Sequence, residues 1–537
     1  VGYELGFLIP KVEMFSQTSI FAKDPAVICL LLTLLITTPC FSDSPESIKP
    51  NIIFILADDL GYGDVSCYGG RVATPHIDRL ASEGIRFTSG YCSASTCTPT
   101  RFSFLTGTYA FRQKGTGVAP PNSPALIQPG TPTLANLLSD ADYKTAVIGK
   151  WHLGLGGTKG PDWNGILSPS PLDIGFDHCF LLPTTNDRVP QVFVSGNRVL
   201  NLDPADPLWV GDNKPDENHP TGITQRSSLK MDWSHGHNAT IHNGISRIGF
   251  YTGGNKARFR DEDLADHWVN QSKKWIEENK DRNFFLFFSS HDLHVPRVVH
   301  ERFQGSSGQG PRGDAIIEFD WSVGQLLQTL EDLQLEKNTL VVLCSDNGPV
   351  LDDGYVDQAI EKLGDHDPNG PFRGGKYNVF EGGTRTPFIA RWIGKISPQV
   401  SDKIICTVDL PATFAHLVDA KLPENGFLDS YNLHEVLLGK PDAPTRPHLI
   451  QQDNGQAGNF GYRVGKWKLI RQQSRQATNV ELRLTPTKLP LHQLYDLDTD
   501  PGETTNVFSD HSDLGQKMLE ELQKHINAGR TRISSNK

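Results

Sequence analysis

The chain is short of positive charge. Its 51 Lys and Arg are outnumbered by 62 Asp and Glu, for a formal net charge of −11. Nucleic-acid proteins need a basic face to meet phosphates, so that class is excluded, although a few inward-facing Lys, Arg and His still suffice for a local anion site. Cysteine is scarce too: eight in 537 residues. Cys29 and Cys40 lie near the N-terminus. The other six, Cys67, Cys92, Cys97, Cys179, Cys344 and Cys406, do not form a close metal knuckle. For most of them the expected state is a buried thiol. Long apolar runs are missing as well. The run Ala26–Ile36 is too short for a comfortable membrane span. No internal repeat is found.

What is present begins with a targeting pattern. Lys23 precedes the apolar run, small residues follow it, and Cys40-Phe41-Ser42 fits a cleavage site. Residues 1–42 therefore read as a signal peptide with upstream residues, Met14 being the expected start. Export to the periplasm or the exterior follows, with no membrane attachment after cleavage. The alternative is an uncleaved anchor. The remaining chain, within a composition of 37% hydrophobic and 21% charged residues, is long enough for a large core and more than one domain.

Three continuous apolar runs, Asn51–Ala57, Phe284–Phe288 and Leu340–Cys344, read as strands buried on both faces of a largely parallel sheet. Thr145–Ile148 is a shorter fourth. Helical patterns lie between them: Pro75 to Gly84, Thr131 to Asp140, Asp261 to Lys280 and Ile316 to Leu333. This alternation predicts an α/β doubly wound layer structure. The stretch 156–254 is rich in Pro, Gly, Asn and Asp and reads as a loop-rich insertion around a site. After about residue 440 the pattern changes. A hairpin at 462–470 around Gly465, a strand at 494–497 and an amphipathic helix from Leu514 to Ala528 predict a small α+β subdomain over 441–537. The larger, first part then spans 48–440.

Polar residues collect just after the apolar runs. Asp58 and Asp59 follow the first strand, Lys150 and His152 the short one, His291 and His294 the Phe-rich one, Asp346 and Asn347 the last. Ligands of open parallel sheets bind beyond the carboxyl ends of the strands. Each segment alone also reads as a turn; their joint occurrence points to one site. Three carboxylates and an amide form a hard oxygen set that suits Ca²⁺, and Mg²⁺ less comfortably. The Asp58–Asp59 pair brought against Asp346 would repel strongly without a cation between them.

The stretch Cys97-Thr98-Pro99-Thr100-Arg101, continuing to Phe104-Leu105-Thr106-Gly107, resembles the first signature of the sulfatase family. Tyr143 to His152, with Gly149-Lys150-Trp151-His152, resembles the second, departing from it at Asp142. The resemblance covers Pro50 to about Asn506 and implies the alkaline-phosphatase-like α/β fold with a smaller C-terminal domain. It implies that a maturation enzyme oxidises Cys97 to formylglycine, whose hydrate attacks the sulfur of a sulfate ester. One calcium ion per chain is implied at Asp58, Asp59, Asp346 and Asn347, with position 97 as a further ligand. Arg101 would steady the formylglycine and Lys150 would clamp the sulfate. His152 would deprotonate the second diol hydroxyl. His294 and Lys376 would bind sulfate and protonate the leaving oxygen, with His291 a nearby second candidate. The loop Pro183–Arg188, with Asn186 and Arg188, and the stretch His235–His237 suit a polar pocket, hence a sulfated carbohydrate. Aryl sulfates and phosphate or phosphonate esters are the alternative substrates, and a glycan-binding protein without catalysis is the other class left open.

Overall fold

Five apolar strands lie side by side and parallel in the middle of a ten-stranded sheet, in the order Thr339–Ser345, Asn51–Ala57, Phe284–Ser289, Lys144–Lys150 and His178–Leu182. This is a computed structural model, and it describes residues 49–454, 458–473 and 489–533. The expected signal peptide, with Cys29 and Cys40, lies outside the described residues.

The central strand Asn51–Ala57 shows why a continuous apolar run is needed. Ile52, Phe54 and Leu56 enter one core, while Ile53, Ile55 and Ala57 enter the other. Each of the Ile, Leu and Phe side chains, wholly removed from water, contributes roughly 1.5–3 kcal/mol. Phe54 meets Phe104 with ring centroids 4.2 Å apart and Phe287 at 5.7 Å, so the buried helix bearing Phe104 is keyed to the sheet. Beyond Thr339–Ser345 the sheet turns antiparallel at Phe388–Arg391 and continues through Ile85–Phe87 and Gln399–Ser401; the short strands Val194–Ser195 and Arg198–Val199 close the other edge. The helices Leu264–Asn279 and Gly310–Asp332 cover one face. The second starts six residues before the expected Ile316, because Pro311 is tolerated in a first helical turn.

The insertion 156–254 contains the expected loops and short strands, but also His178–Leu182, a full member of the parallel sheet. Five residues inside a polar stretch gave no periodic signal. Among the described residues, no helix is long and apolar enough to cross a membrane, and the six described cysteines are free.

The C-terminal part forms a separate antiparallel sheet, Leu449–Gln452, Phe460–Val464, Trp467–Arg471 and His492–Asp496, covered by the helix Ser512–Asn527. Lys468 on this sheet is fully buried and lies 2.9 Å from both Glu381 and Glu503. Burial, with the Glu381 charge adding to it and Lys468 opposing, holds the Glu503 carboxyl up to about 7, from an ordinary 4.5. A carboxyl raised on folding stabilises less as pH climbs from its unfolded to its folded value. Lys468→Met removes the cation that bridges the two acids and is expected to cost about 3–5 kcal/mol. Thermal melts should show a larger loss at pH 8 than at pH 5, where Glu503 is protonated.

Candidate active site

Strand register sets the site. Ala57 pairs with Ser345, Leu56 with Ser289, and Ser289 with Gly149. Asp58, Asp346, Ser290 and Lys150 therefore leave the sheet at one level, on its carboxyl edge.

Asp58, Asp59, Asp346 and Asn347 are all buried. Asp346 Oδ1 accepts from the Asp59 N–H at 3.3 Å, and Asn347 Nδ2 donates to Asp59 Oδ1 at 2.7 Å. One ligating atom each from Asp58, Asp59 and His294 lie within 4.8 Å of one another. Burial, reinforced by the Asp346 charge, holds the Asp58 carboxyl well above the ordinary range despite Lys150 and Arg101; burial raises Asp59 as well. Asp58 Oδ1 and Asn347 Oδ1 are buried without a hydrogen-bond donor. Oxygens left unpaired in a crowded acidic cluster are what a hard divalent cation satisfies, so the residues fit one.

Cys97 opens the helix Cys97–Thr106, whose ten residues are all buried and which ends at Gly107 with φ 58°. Pro99 falls in its first turn, where a missing N–H costs nothing. Cys97 Sγ lies 3.1 Å from His152 Nδ1, and His152 Nε2–H donates to the Ala119 carbonyl at 3.0 Å. That bond leaves the Nδ1 lone pair facing position 97. Burial keeps His152 well below its usual pKa, with Lys150 adding to the effect. The Cys97 thiol is raised by burial, and the cations of Lys150 and Lys376 only partly offset this. A thiol held protonated is a poor nucleophile.

The cations converge on the same spot. Arg101 contacts Asp346 Oδ2 through Nε at 2.9 Å and NH2 at 2.8 Å, and donates to Ser289 Oγ and the Lys150 carbonyl. Lys150 Nζ donates to Asp58 Oδ2. Lys376 Nζ bridges Asp59 Oδ2 at 2.9 Å and Asp353 Oδ2 at 2.8 Å. Burial alone would lower the Lys376 pKa, but Asp353 and Asp59 outweigh it and lift it well above the ordinary value. His294 Nδ1–H donates to the Val295 carbonyl at 2.8 Å; burial, then Lys376 and Lys150, keep the ring neutral.

The structure thus brings together Asp58, Asp59, Cys97, Arg101, Lys150, His152, His294, Asp346, Asn347 and Lys376. Arg188 sits at the rim. It donates to Asp187 Oδ2 at 2.9 Å; burial alone would lower its pKa, but the Asp187 charge, with Asp353 adding to it, raises it. Asn186 lies behind the rim, its Nδ2 donating to the carbonyls of His294 at 3.1 Å and Pro296 at 3.2 Å. His237 Nε2 binds Asp187 Oδ2 at 3.0 Å. His291 is elsewhere: Trp268 Nε1–H donates to its Nδ1 at 3.2 Å, and it clusters with Asp292 and Glu318. Asp353 went unnoticed in the sequence, since Asp352-Asp353-Gly354 reads as an ordinary turn.

A buried cysteine at a helix start, a neutral imidazole and lysines beside an acidic cluster are a set of groups that suits a hydrolase of oxyanion esters. The family model for sulfatases matches residues 50–420. The chain belongs to the sulfatase family, and its architecture is the alkaline-phosphatase-like α/β fold. N-acetylgalactosamine-6-O-sulfatase of Bacteroides thetaiotaomicron is 46% identical over 89% of this chain and 93% of its own. Human arylsulfatase A is 32% identical over 88% of this chain and 86% of its own. A solved structure from work on the metabolism of multiple glycosaminoglycans by Bacteroides thetaiotaomicron matches with a TM-score of 0.85 at 45% identity, covering 89% of this chain and 100% of that one.

Proposed function

We propose that this sulfatase removes an O-sulfate from a carbohydrate, using formylglycine made from Cys97 and a bound calcium ion. The observation that carries the reading is Cys97 Sγ at 3.1 Å from His152 Nδ1, beside the charges of Lys150 and Lys376. When present, the hydrated formylglycine and the cation supply two hydroxyls on one carbon, the attacking one made more acidic.

The chain's own residues do the rest. Arg101 holds Asp346 and closes the floor of the site. Lys150 and Lys376 face the sulfate oxygens as charge shifts toward the transition state, the role of an oxyanion hole. His294 or Lys376 gives a proton to the departing alcohol. Lys376 carries that proton in the resting site; the neutral His294 would have to gain one when the sulfate monoester, a monoanion, lies beside it. His152 Nδ1 takes the proton of the second hydroxyl as sulfate leaves. Arg188 at the rim, braced by Asp187, offers donors to the hydroxyls of a sugar. Export and a formylglycine-generating partner belong to this reading, as do the catalytic and C-terminal divisions at 48–440 and 441–537.

The relative named for 6-O-sulfated N-acetylgalactosamine makes that sugar the first to test. Enzyme matured in its own host is expected to release sulfate from it at least about 10-fold faster than from 4-nitrophenyl sulfate, a gap of about 1.4 kcal/mol. The panel includes the 4-O-sulfated isomer, 6-O-sulfated N-acetylglucosamine, and phosphate and phosphonate monoesters. Turnover of aromatic esters alone would reject the carbohydrate assignment; faster phosphonate cleavage would reject the sulfate one.

A further inference from the structure

Three hydrogen bonds close a ring around His152 that none of these roles uses. The imidazole Nε2–H donates to the Ala119 carbonyl at 3.0 Å. The Ala119 N–H donates to Thr98 Oγ1 at 3.2 Å. The Thr98 hydroxyl in turn donates to the His152 carbonyl at 3.0 Å. One fully buried oxygen, on the residue after Cys97, therefore ties both ends of the histidine. The tie has something to restrain. His152 has φ 53°, a left-handed conformation that costs a non-glycine residue of order 1 kcal/mol or more. The other main-chain bond of His152 is longer, its N–H reaching the Pro183 carbonyl at 3.3 Å.

We propose that Thr98 is a positioning residue whose hydroxyl, by accepting from the Ala119 N–H and donating to the His152 carbonyl, holds the Ala119 residue against the imidazole, so that the ring keeps its proton on Nε2 and presents Nδ1 to position 97. This rests on the reading of His152 as the base of the second half-reaction. There the remaining O–H at position 97 gives its proton to Nδ1. The O–H electron pair closes the C=O bond, and the C–O bond to sulfate breaks, its pair leaving with sulfate. An imidazole protonated on Nδ1 has no lone pair to offer. A valine at 98 has the shape of threonine and neither hydrogen bond.

The test uses Thr98→Val and Thr98→Ser with two readouts. In ¹⁵N-histidine-labelled protein left unconverted at Cys97, the His152 ring is assigned by its loss in His152→Ala. Wild type and Thr98→Ser are expected to show Nε2 protonated and Nδ1 bare, and Thr98→Val a mixture of tautomers. In matured enzyme, rates are normalised to the formylglycine content of the peptide spanning position 97. Thr98→Val should lower kcat roughly 10- to 100-fold with KM within about twofold, part of what a general base contributes. It should also accumulate sulfated enzyme, seen by intact mass, and Thr98→Ser should restore turnover. A wild-type ring and wild-type turnover in Thr98→Val overturn the proposal. His152→Ala separates the two layers. If it accumulates sulfated enzyme and Thr98→Val does not, only the role of Thr98 falls. If His152→Ala itself turns over without accumulation, the base assignment falls and the proposal with it.

Discussion

Cys97→Ser enzyme, produced in the native host, is expected to release no free sulfate and at most one equivalent of desulfated alcohol per chain, a fall of at least about 10⁴-fold in kcat. The substitution is nearly isosteric at a fully buried position. The helix start, the contact to His152 and the surrounding ion pairs remain, so melting should move little. What changes is the chemistry of departure. One serine hydroxyl accepts the sulfuryl group but leaves no second hydroxyl through which the bond to sulfate is expelled. The variant should therefore gain the mass of a sulfuryl group on the peptide bearing position 97, whereas Cys97→Ala should gain nothing and also be inactive. Wild-type peptide from the same host should carry an aldehyde in place of the thiol. Sustained turnover by Cys97→Ser, or by wild-type protein whose Cys97 is still a thiol, contradicts the assignment.

Much of this site was legible because parallel sheets deliver their functional residues to one edge. Asp58, Lys150, His294 and Asp346 follow apolar runs that are unmistakable strands, and strand register makes them neighbours without further information. His178–Leu182 was not legible, because a five-residue strand in a polar insertion has no room for a periodic signal. Asp353 was hidden differently. It lies in the long connection between Ser345 and Glu381, among turn-forming residues, and nothing local says that it will meet Lys376 at 2.8 Å. His291 shows the opposite failure. It follows the same strand as His294, yet the chain turns between them and Trp268 takes its ring. The bond from Thr98 to the His152 carbonyl joins residues far apart in sequence, so only the folded chain reveals it.

Removing divalent cations should abolish activity, and Asp346→Asn should abolish the response to adding them back. The argument turns on charge. Asp58, Asp59 and Asp346 are buried together, and Lys150, Lys376 and Arg101 already pair with them. Even so, burial and mutual repulsion push Asp58 well above its ordinary range, and Asp58 Oδ1 and Asn347 Oδ1 remain unpaired. A divalent ion answers both deficits and so stabilises the folded state by mass action, about 2.7 kcal/mol at a free concentration one hundred times its dissociation constant. Calcium should therefore raise the melting temperature of chelator-treated wild-type protein, independently of any assay of turnover. Asparagine at 346 keeps an oxygen for Arg101 Nε, which approaches Oδ2 at 2.9 Å, so the buried guanidinium is not stranded. Alanine there would strand it, at roughly 3–5 kcal/mol, and confuse the comparison. With one full charge removed, Asp346→Asn should show little or no calcium-dependent rise in melting and a kcat at least about 10²-fold lower, the scale of losing a transition-state charge contact. Zinc is expected to substitute poorly, since three carboxylates and an amide make a predominantly hard oxygen set. Full activity in chelator, or an unchanged calcium response in Asp346→Asn, would remove the cation from this site and leave the lysines as the sole counter-charge to sulfate.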